Sequence, residues 1–487
     1  MADLSYHHGT RVFDNNNTPV QIRTAQSAVI FLMGTAPDAD QTVFPLNQPV
    51  LIEGGANYTI AESLGNAGTL KKAVDAILQQ GDRLQLGAYI YINRIAAAPT
   101  LPEMISNGVG DPDAMTGIYA ALRIEKRYGR KLKPRIFIAP GLTHALAADG
   151  VNAVNVTNGG SGYGPKTTMT ATGGGLRNCV LSPIIVDGVI TGAAIVRPGF
   201  GATTPGDVVV TISDPDGGGS GAQATASIGS VGNPIAHELE GLLPKFRAIA
   251  FIDGPNTTDA AAVATTEQYG SDRLYVVDPF SEVWDATLNA YVPVPSSSRF
   301  AGVQVRVDRE VGFFKSVSNE LIYGIDGAAR PITYGAQTDY LNQGYVGTIV
   351  NLGEGFRTWG NRCTDGTFLS VRRARDFVNE AIETAYLKYV DKPESDAWIK
   401  LMLEDARAFL KDLEGNGAVL RDSSSVWLDP AKNTAQAMQQ GRIRVSVKYE
   451  VPPPMEDISI DSYYNVQAYT LLLDRVNGAI EAGALAA

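Results

Sequence analysis

Residues 28–34 read AVIFLMG, a run of apolar side chains with no polar alternation. A strand solvated on one face alternates, whereas a strand buried on both faces does not, so this stretch is predicted to lie inside a parallel sheet. Downstream, Thr69 precedes Leu70, Ala73, Val74, Ile77 and Leu78, which follow helical spacing, and Gly81 closes the segment. Residues 88–94 form the next predicted strand. Asp113 is placed to cap a helix carrying Met115, Ile118, Tyr119 and Leu122 that stops at Gly129, and residues 135–139, 247–253 and 273–278 read as three further strands. Strands separated by helices give a βαβ layout with a largely parallel sheet.

A different kind of sequence interrupts that layout. Residues 152–233 hold 18 of the 51 glycines but only seven charged side chains, Lys166, Arg177, Asp187, Arg197, Asp207, Asp214 and Asp216. Short β-rich pieces such as DVVVTI (207–212) alternate with glycine turns, and no helical period is present. The segment reads as internally duplicated, VTNGGSG (156–162) paralleling IVRPGFG (195–201), each copy followed by a glycine triplet. A flexible linker would not need these apolar strands, so a small β-domain is predicted.

Beyond the sheet, residues 368–390 carry Ala374, Phe377, Val378, Ala381, Ile382, Ala385 and Tyr389 on one helical stripe. Ser395 precedes a second amphipathic helix with Trp398, Leu401, Met402, Ala406, Phe409, Leu410 and Leu413. RIRVSVKYE (442–450) then alternates as a half-buried strand. Val451-Pro452-Pro453-Pro454 breaks it, and MEDISIDSYYNV (455–466) alternates again. A triple proline forbids helix and acts as a stiff extended spacer. The N-terminal stretch 6–22 is likewise polar, non-helical and alternating around Val12, Val20 and Ile22. Two extended arms flanking a globular body point to assembly by strand exchange. The predicted intermolecular strand positions are Tyr6, Val12, Val20, Ile22, Ile458 and Ile460.

Composition narrows the function. A 487-residue chain, 44% hydrophobic, is globular and too long for one ordinary core. A net charge of −11 argues against general nucleic-acid binding. Two distant cysteines, Cys179 and Cys363, give no disulfide framework. No basic region followed by an apolar core marks a signal peptide, and no apolar run approaches the roughly 20 residues of a membrane helix. A chain made in a cytoplasm, without membrane insertion, is expected.

No catalytic constellation stands out. The four histidines are His7, His8, His144 and His237, and adjacent residues such as His7 and His8 point to opposite faces of a strand. HExxH, CxxC, GxSxG and P-loop motifs are absent, and the turns after the sheet strands lack GxGxxG glycines. Gly353-Glu354-Gly355 places a carboxylate where phosphate would lie. Asp253 and Asp278 end strands, where an aspartate usually caps the following turn. No catalytic residue, metal site or cofactor is assigned.

Several ordered landmarks resemble one family. They are Tyr6-His7-His8-Gly9; Ala36-Pro37-Asp38-Ala39-Asp40 with FPLNQPVLI (44–52); and Lys133-Pro134-Arg135-Ile136 with Ala139-Pro140-Gly141-Leu142. Ser318-Asn319-Glu320 and Gly324-Ile325-Asp326-Gly327 follow, then GFRTWGNR (355–362) before the long helix, and finally Val447-Lys448-Tyr449-Glu450, the triple proline and Met455-Glu456-Asp457-Ile458. In this order they are similar to the sheath proteins of contractile phage tails, particularly of P2-like and Mu-like myophages and R-type tail bacteriocins. Residues 152–233 depart from the compact members of that family.

The resemblance implies a mechanical, non-enzymatic virion protein, assembled in the host bacterial cytoplasm. Hexameric rings would stack around an inner tube, between baseplate and tail terminator, and contract to drive the tube through a cell envelope. The implied fold is α/β and multi-domain, with a mostly parallel sheet core. Residues 1–24 form an extended arm; 25–151 and 234–360 a discontinuous α/β body; 152–233 an inserted all-β domain on the outer surface; 361–450 an α+β C-terminal domain; and 451–487 a second arm. Family sheaths meet the tube through the C-terminal domain, which makes Arg372, Arg373 and Arg375 the candidate tube contact. Two other readings stay open: the sheath of a non-phage contractile injection system, and a Rossmann-like enzyme with a glycan-binding β-module.

Overall fold

The computed structural model describes residues 27–53, 58–81, 88–129 and 132–484. The arm positions Tyr6, Val12, Val20 and Ile22, and the pair His7 and His8, lie outside the described residues. Strand β1 (Val29–Thr35) is buried along its whole length, and an edge strand β2 (Val50–Glu53), β3 (Tyr89–Ile95) and β4 (Ile136–Ile138) follow. Successive side chains of β1 enter opposite cores. Ile30 and Leu32 pack on one side, and Val29, Phe31 and Met33 on the other. This accounts for the uninterrupted apolar run.

Helix α1 (Leu70–Leu78) buries the predicted stripe. Thr69 stands at its N-cap position, but its hydroxyl accepts the Thr35 N–H at 3.1 Å while its own N–H donates to the Thr35 carbonyl at 2.9 Å, pinning the helix start to the end of β1. Helix α2 (Leu101–Val109), not read from the sequence, opens with a capping box between Thr100 and Glu103. The helix predicted from Asp113 is displaced. Asp111 Oδ1 accepts the N–H groups of Asp113 and Ala114, holding them in a turn, and a 3₁₀ segment Gly117–Ala120 leads into α3 (Ala121–Tyr128).

The glycine-rich segment folds as antiparallel strands β5 (Ala147–Asn158), β6 (Thr168–Thr172), β7 (Arg177–Val186), β8 (Val189–Phe200), β9 (Val209–Ser213) and β10 (Gln223–Val231). One sheet runs β8-β7-β6-β9, and β10 pairs with β5. Val151, Tyr163, Met169, Ala171, Leu181 and Ile190 form their shared core. The register brings Ala147 opposite Val231, so these strands start and finish a few residues before 152 and 233. Asn233 belongs to the body. It is fully buried, caps helix α4 (Pro234–Phe246), and donates to the carbonyls of Leu142 and Ala145.

The chain then supplies β11 (Ile249–Asp253), α5 (Asp259–Thr266), β12 (Leu274–Val277), a hairpin of β13 (Ser281–Asp285) and β14 (Ala290–Val294), α6 (Ser297–Glu310), the short β15 (Gly327–Ala328), α7 (Ala336–Gln343), β16 (Val346–Asn351) and β17 (Phe356–Trp359). The main sheet has the order β17-β16-β12-β11-β4-β1-β3-β2. Its six central strands are parallel, and β17 and β2 are antiparallel edges. Helices α1 and α6 cover one face, and α2, α3 and α4 the other.

Helix α8 (Leu369–Tyr386) and α9 (Asp396–Gly415) pack with β18 (Ser425–Leu428) and β19 (Val445–Lys448), joined through the short α10 (Ala435–Gln439). Their core holds Val378, Ala381, Phe409, Leu410, Leu413 and Val426. Two compact units result, with the boundary between Pro454 and Met455. In the second, residues 455–465 form no regular element, and α11 (Gln467–Ala484) follows. The strand predicted across 455–466 is therefore not formed within the single chain. A lone extended segment has no partner for its backbone N–H and C=O groups.

Candidate assembly surface

Strands β18 and β19 form a two-stranded antiparallel sheet with Val426 opposite Val447 and Leu428 opposite Val445. Alternation turns Val426, Val445 and Val447 toward the helices and leaves Ser425, Trp427 and Lys448 on the open face. A sheet of two strands has two outer edges. The Arg407 side chain occupies part of the β18 edge, donating from Nε and Nη2 to the Val426 carbonyl at 3.2 and 2.7 Å. Beyond β19, the Tyr449 hydroxyl donates to Asn379 Oδ1 at 2.8 Å, the Glu450 carbonyl accepts the Leu420 N–H at 2.9 Å, and Val451 is buried. The chain is thus anchored just before the three prolines, which lead to the separate C-terminal unit. There Ile458 and Ile460 are 69% and 85% exposed.

Helix α8 carries the three candidate arginines, and its setting changes their reading. Arg373 is buried and bidentate to Asp308, with Nη1 and Nη2 donating at 2.8 and 2.5 Å. Arg372 is half-buried between Asp272 at 3.1 Å and Asp376 at 2.7 Å. Those two carboxylates push its pKa up, against the opposing effect of burial. Only Arg375 is exposed. The three therefore do not make one basic surface, because the fold delivers an aspartate to two of them. Buried ion pairs from Arg135 to Glu380 and from Arg273 to Asp376, both at 2.5 Å, fasten α8 to the sheet body.

Carboxylates at the sheet's strand ends serve the framework. Asp253 accepts the Ser297 N–H and hydroxyl at 2.9 and 2.8 Å, and the Gly141 N–H at 3.3 Å, capping α6. Asp278 accepts from the Asn256 N–H and from Arg330. Gly353-Glu354-Gly355 lies in the turn between antiparallel β16 and β17, not between a strand and a helix where a phosphate would sit. His237 contacts Glu240 at 3.0 Å, and burial lowers the His144 pKa. Both cysteines are free thiols. Among the described residues no group of three or more His, Cys, Asp or Glu side chains could hold a metal ion.

One polar cluster escaped the sequence reading. Glu238 on α4 is buried and receives Arg197 from β8 at 2.7 Å, Asn178 from β7 at 3.4 Å and the Tyr119 hydroxyl. The β-rich insert is therefore docked on the body and does not hang from two linkers.

The phage tail sheath C-terminal domain family matches residues 364–464. A prophage major tail sheath protein of Pseudomonas aeruginosa is 37% identical over 249 residues, 49% of this chain and 64% of that protein, so the match spans just under two thirds of the relative. The tail sheath protein of Burkholderia phage BcepMu is 27% identical, with 94% of this chain and 96% of that protein covered. The sheath of an extracellular contractile injection system, solved in its contracted state, shares the fold with a TM-score of 0.57 at 15% identity, covering 96% of this chain and 99% of its own.

Proposed function

We infer that this chain, a member of the contractile tail sheath family, is the structural subunit of a sheath that polymerises around an inner tube and contracts to drive that tube through a target envelope. The observation that carries the reading is the end of the C-terminal body. A two-stranded sheet with outer edges is followed by a proline spacer, anchored at Glu450 and Val451, and then by a second unit rich in exposed apolar side chains. Edge strands invite strand addition where they are uncovered, and Arg407 covers only part of the β18 edge. Arm strands from neighbouring copies, around Tyr6, Val12, Val20 and Ile22 and around Ile458 and Ile460, complete that sheet in the assembly. Main-chain hydrogen bonds then keep subunits connected while their bodies rotate.

Hexameric rings stack between baseplate and tail terminator, as a virion component assembled in the host cytoplasm, and the same subunit design serves contractile injection systems. New contacts between bodies supply the contraction energy, which makes the extended state metastable. No catalytic residue, cofactor or nucleotide is required. The insert lies on the outer surface, because rings that slide past one another leave room only outside. Arg375 remains the candidate for an acidic tube surface, and Arg372 and Arg373 serve the fold. The test is electron microscopy of the concentrated protein with and without purified tube protein. Sheath-like tubes support the reading, and a small fixed oligomer at every concentration contradicts it.

A further inference from the structure

Helix α11 presents a feature that strand exchange does not use. Along its 18 residues, Tyr469, Leu472, Leu473, Val476 and Ile480 recur at i, i+3, i+4, i+7 and i+11, one continuous stripe. Gln467, Thr470, Asp474 and Glu481 fall away from the stripe, with Leu471 the one large apolar side chain among them. Every one of the five stripe residues is exposed, Tyr469 at 70% and Val476, the least, at 46%. The helix also has weak intrinsic support, because Gly478, Gly483, Thr470 and Asn477 are all poor helix formers. An isolated helix of this length is marginal in water, and most helical stability in proteins comes from packing an apolar face. The stripe therefore calls for a cover.

We propose that α11 docks, stripe first, on a second copy of this chain, as an anchor beyond the exchanged strand. The inference rests on the arm-exchange reading given above. Reach is the first argument. Residues 455–466 separate Pro454 from the helix, and at about 3.3 Å per extended residue they span up to about 40 Å. That is longer than the hairpin they would join, so a strand paired to a neighbour still leaves chain to carry α11 onward.

Charge is the second argument. The helix holds only Asp474, Arg475 and Glu481 as charged residues, whereas helices that lie on membrane surfaces are rich in Lys and Arg on the polar face. No helix among the described residues is long and apolar enough to cross a membrane. A protein surface fits better than a lipid one, and in a polymer the protein surface held at highest effective concentration is another copy of the same subunit.

Area is the third. A helix of 18 residues is about 27 Å long, and one face of it buries less than the roughly 800 Å² per partner of a stable standing interface. Alone α11 would not hold two copies together, but added to paired strands it lengthens the lifetime of each link.

The test uses the full chain, with a benzoylphenylalanine photo-crosslinker placed singly at Leu472 or Val476 on the stripe, Asp474 on the polar side, and Ile458 in the arm strand. Because α11 belongs to a unit separate from residues 1–454, these changes leave the body folded. In polymerised sheaths, Leu472 and Val476 are expected to give covalent dimers on a denaturing gel, with Asp474 giving several-fold less. Hydrogen exchange of α11 amides should slow about tenfold or more between the dilute subunit and the polymer.

Dimers from Ile458 without dimers from Leu472 would overturn the docking while leaving arm exchange standing. Dimers from neither would overturn both. Intrachain crosslinks, crosslinks to the tube protein, or flotation of the dilute subunit with phosphatidylserine vesicles would each assign the stripe to another occupant and sink the proposal.

Discussion

Arg197 on β8 donates from Nη1 to Oε2 of Glu238 on α4 at 2.7 Å, joining the glycine-rich insert to the sheet body through a carboxylate that is itself buried. The Tyr119 hydroxyl and Asn178 Nδ2 reach the same carboxylate. Burial and the hydrogen bond to Glu238 both raise the Tyr119 pKa, so the phenol stays protonated and donates at neutral pH. Removing one partner of such a cluster costs more than the bond itself is worth, because the others lose their satisfied geometry.

Glu238→Ala is expected to destabilise the subunit by about 2–4 kcal/mol and to loosen the insert without unfolding it. Limited proteolysis should then cut near Leu146 and Gly232 at least several-fold faster than in the parent. Unchanged cleavage at these junctions would mean that the insert is held by its strand pairing alone.

Replacing residues 147–231 by a short Gly-Ser bridge should leave tube formation and contraction intact. Ala147 and Val231 already lie opposite each other, so the bridge has little distance to cover. Loss of ring stacking on this deletion would identify the insert as an inter-subunit element and remove the outward placement.

The arginines of α8 separate cleanly by substitution. Arg373→Glu places like charge against buried Asp308 and should cost about 3–5 kcal/mol, abolishing soluble expression or lowering Tm sharply. Arg375→Glu sits on the surface and should change stability by less than about 0.5 kcal/mol. It should still weaken assembly on tubes, more at low salt than at high salt. Salt-independent, parent-like assembly of the Arg375 variant would move the tube contact elsewhere.

How much of this was legible in sequence follows from the range of the signals. Residues 28–34 and the stripe beginning at Ala374 are local patterns, and they place β1 and α8. The capping box of α2 is equally local, Thr100 followed by Glu103, but the helix it opens is short and holds Pro102, Asn107 and Gly108, which mask its period. The stripe of α11 is local too, but the alternation of residues 455–466 runs directly into it and hides where the helix begins. The setting of Arg372 and Arg373 was not readable, since Asp272, Asp308 and Asp376 reach them only through the packing of α8 on the body. Glu238 likewise gathers Tyr119, Asn178 and Arg197 across long stretches of chain, and no spacing rule joins those positions.

Burial pushes Asp253 up to about 6 in spite of the N–H groups it accepts, and Asp278 up to about 6 against the pull of Arg330. A carboxylate ordinarily titrates near about 3.9 in an unfolded chain, so between these values the folded subunit binds more protons than the unfolded one. The stability contributed by these two carboxyls therefore rises as pH falls from about 7 toward about 4 and is lost as pH climbs through about 6. His144, whose pKa burial lowers, works in the opposite direction over the same window, so the reading is differential: going from pH 7 to pH 5 should raise the Tm of the parent relative to that of Asp253→Asn. Equal pH slopes in parent and variant would show that Asp253 is ionised throughout.

Polymerisation by arm exchange is tested by electron microscopy of the full chain beside a form lacking residues 1–22, at matched high concentration. Tubes are expected from the full chain, and a folded, soluble, non-polymerising subunit from the truncated one. Normal tubes from the truncated form would contradict arm exchange.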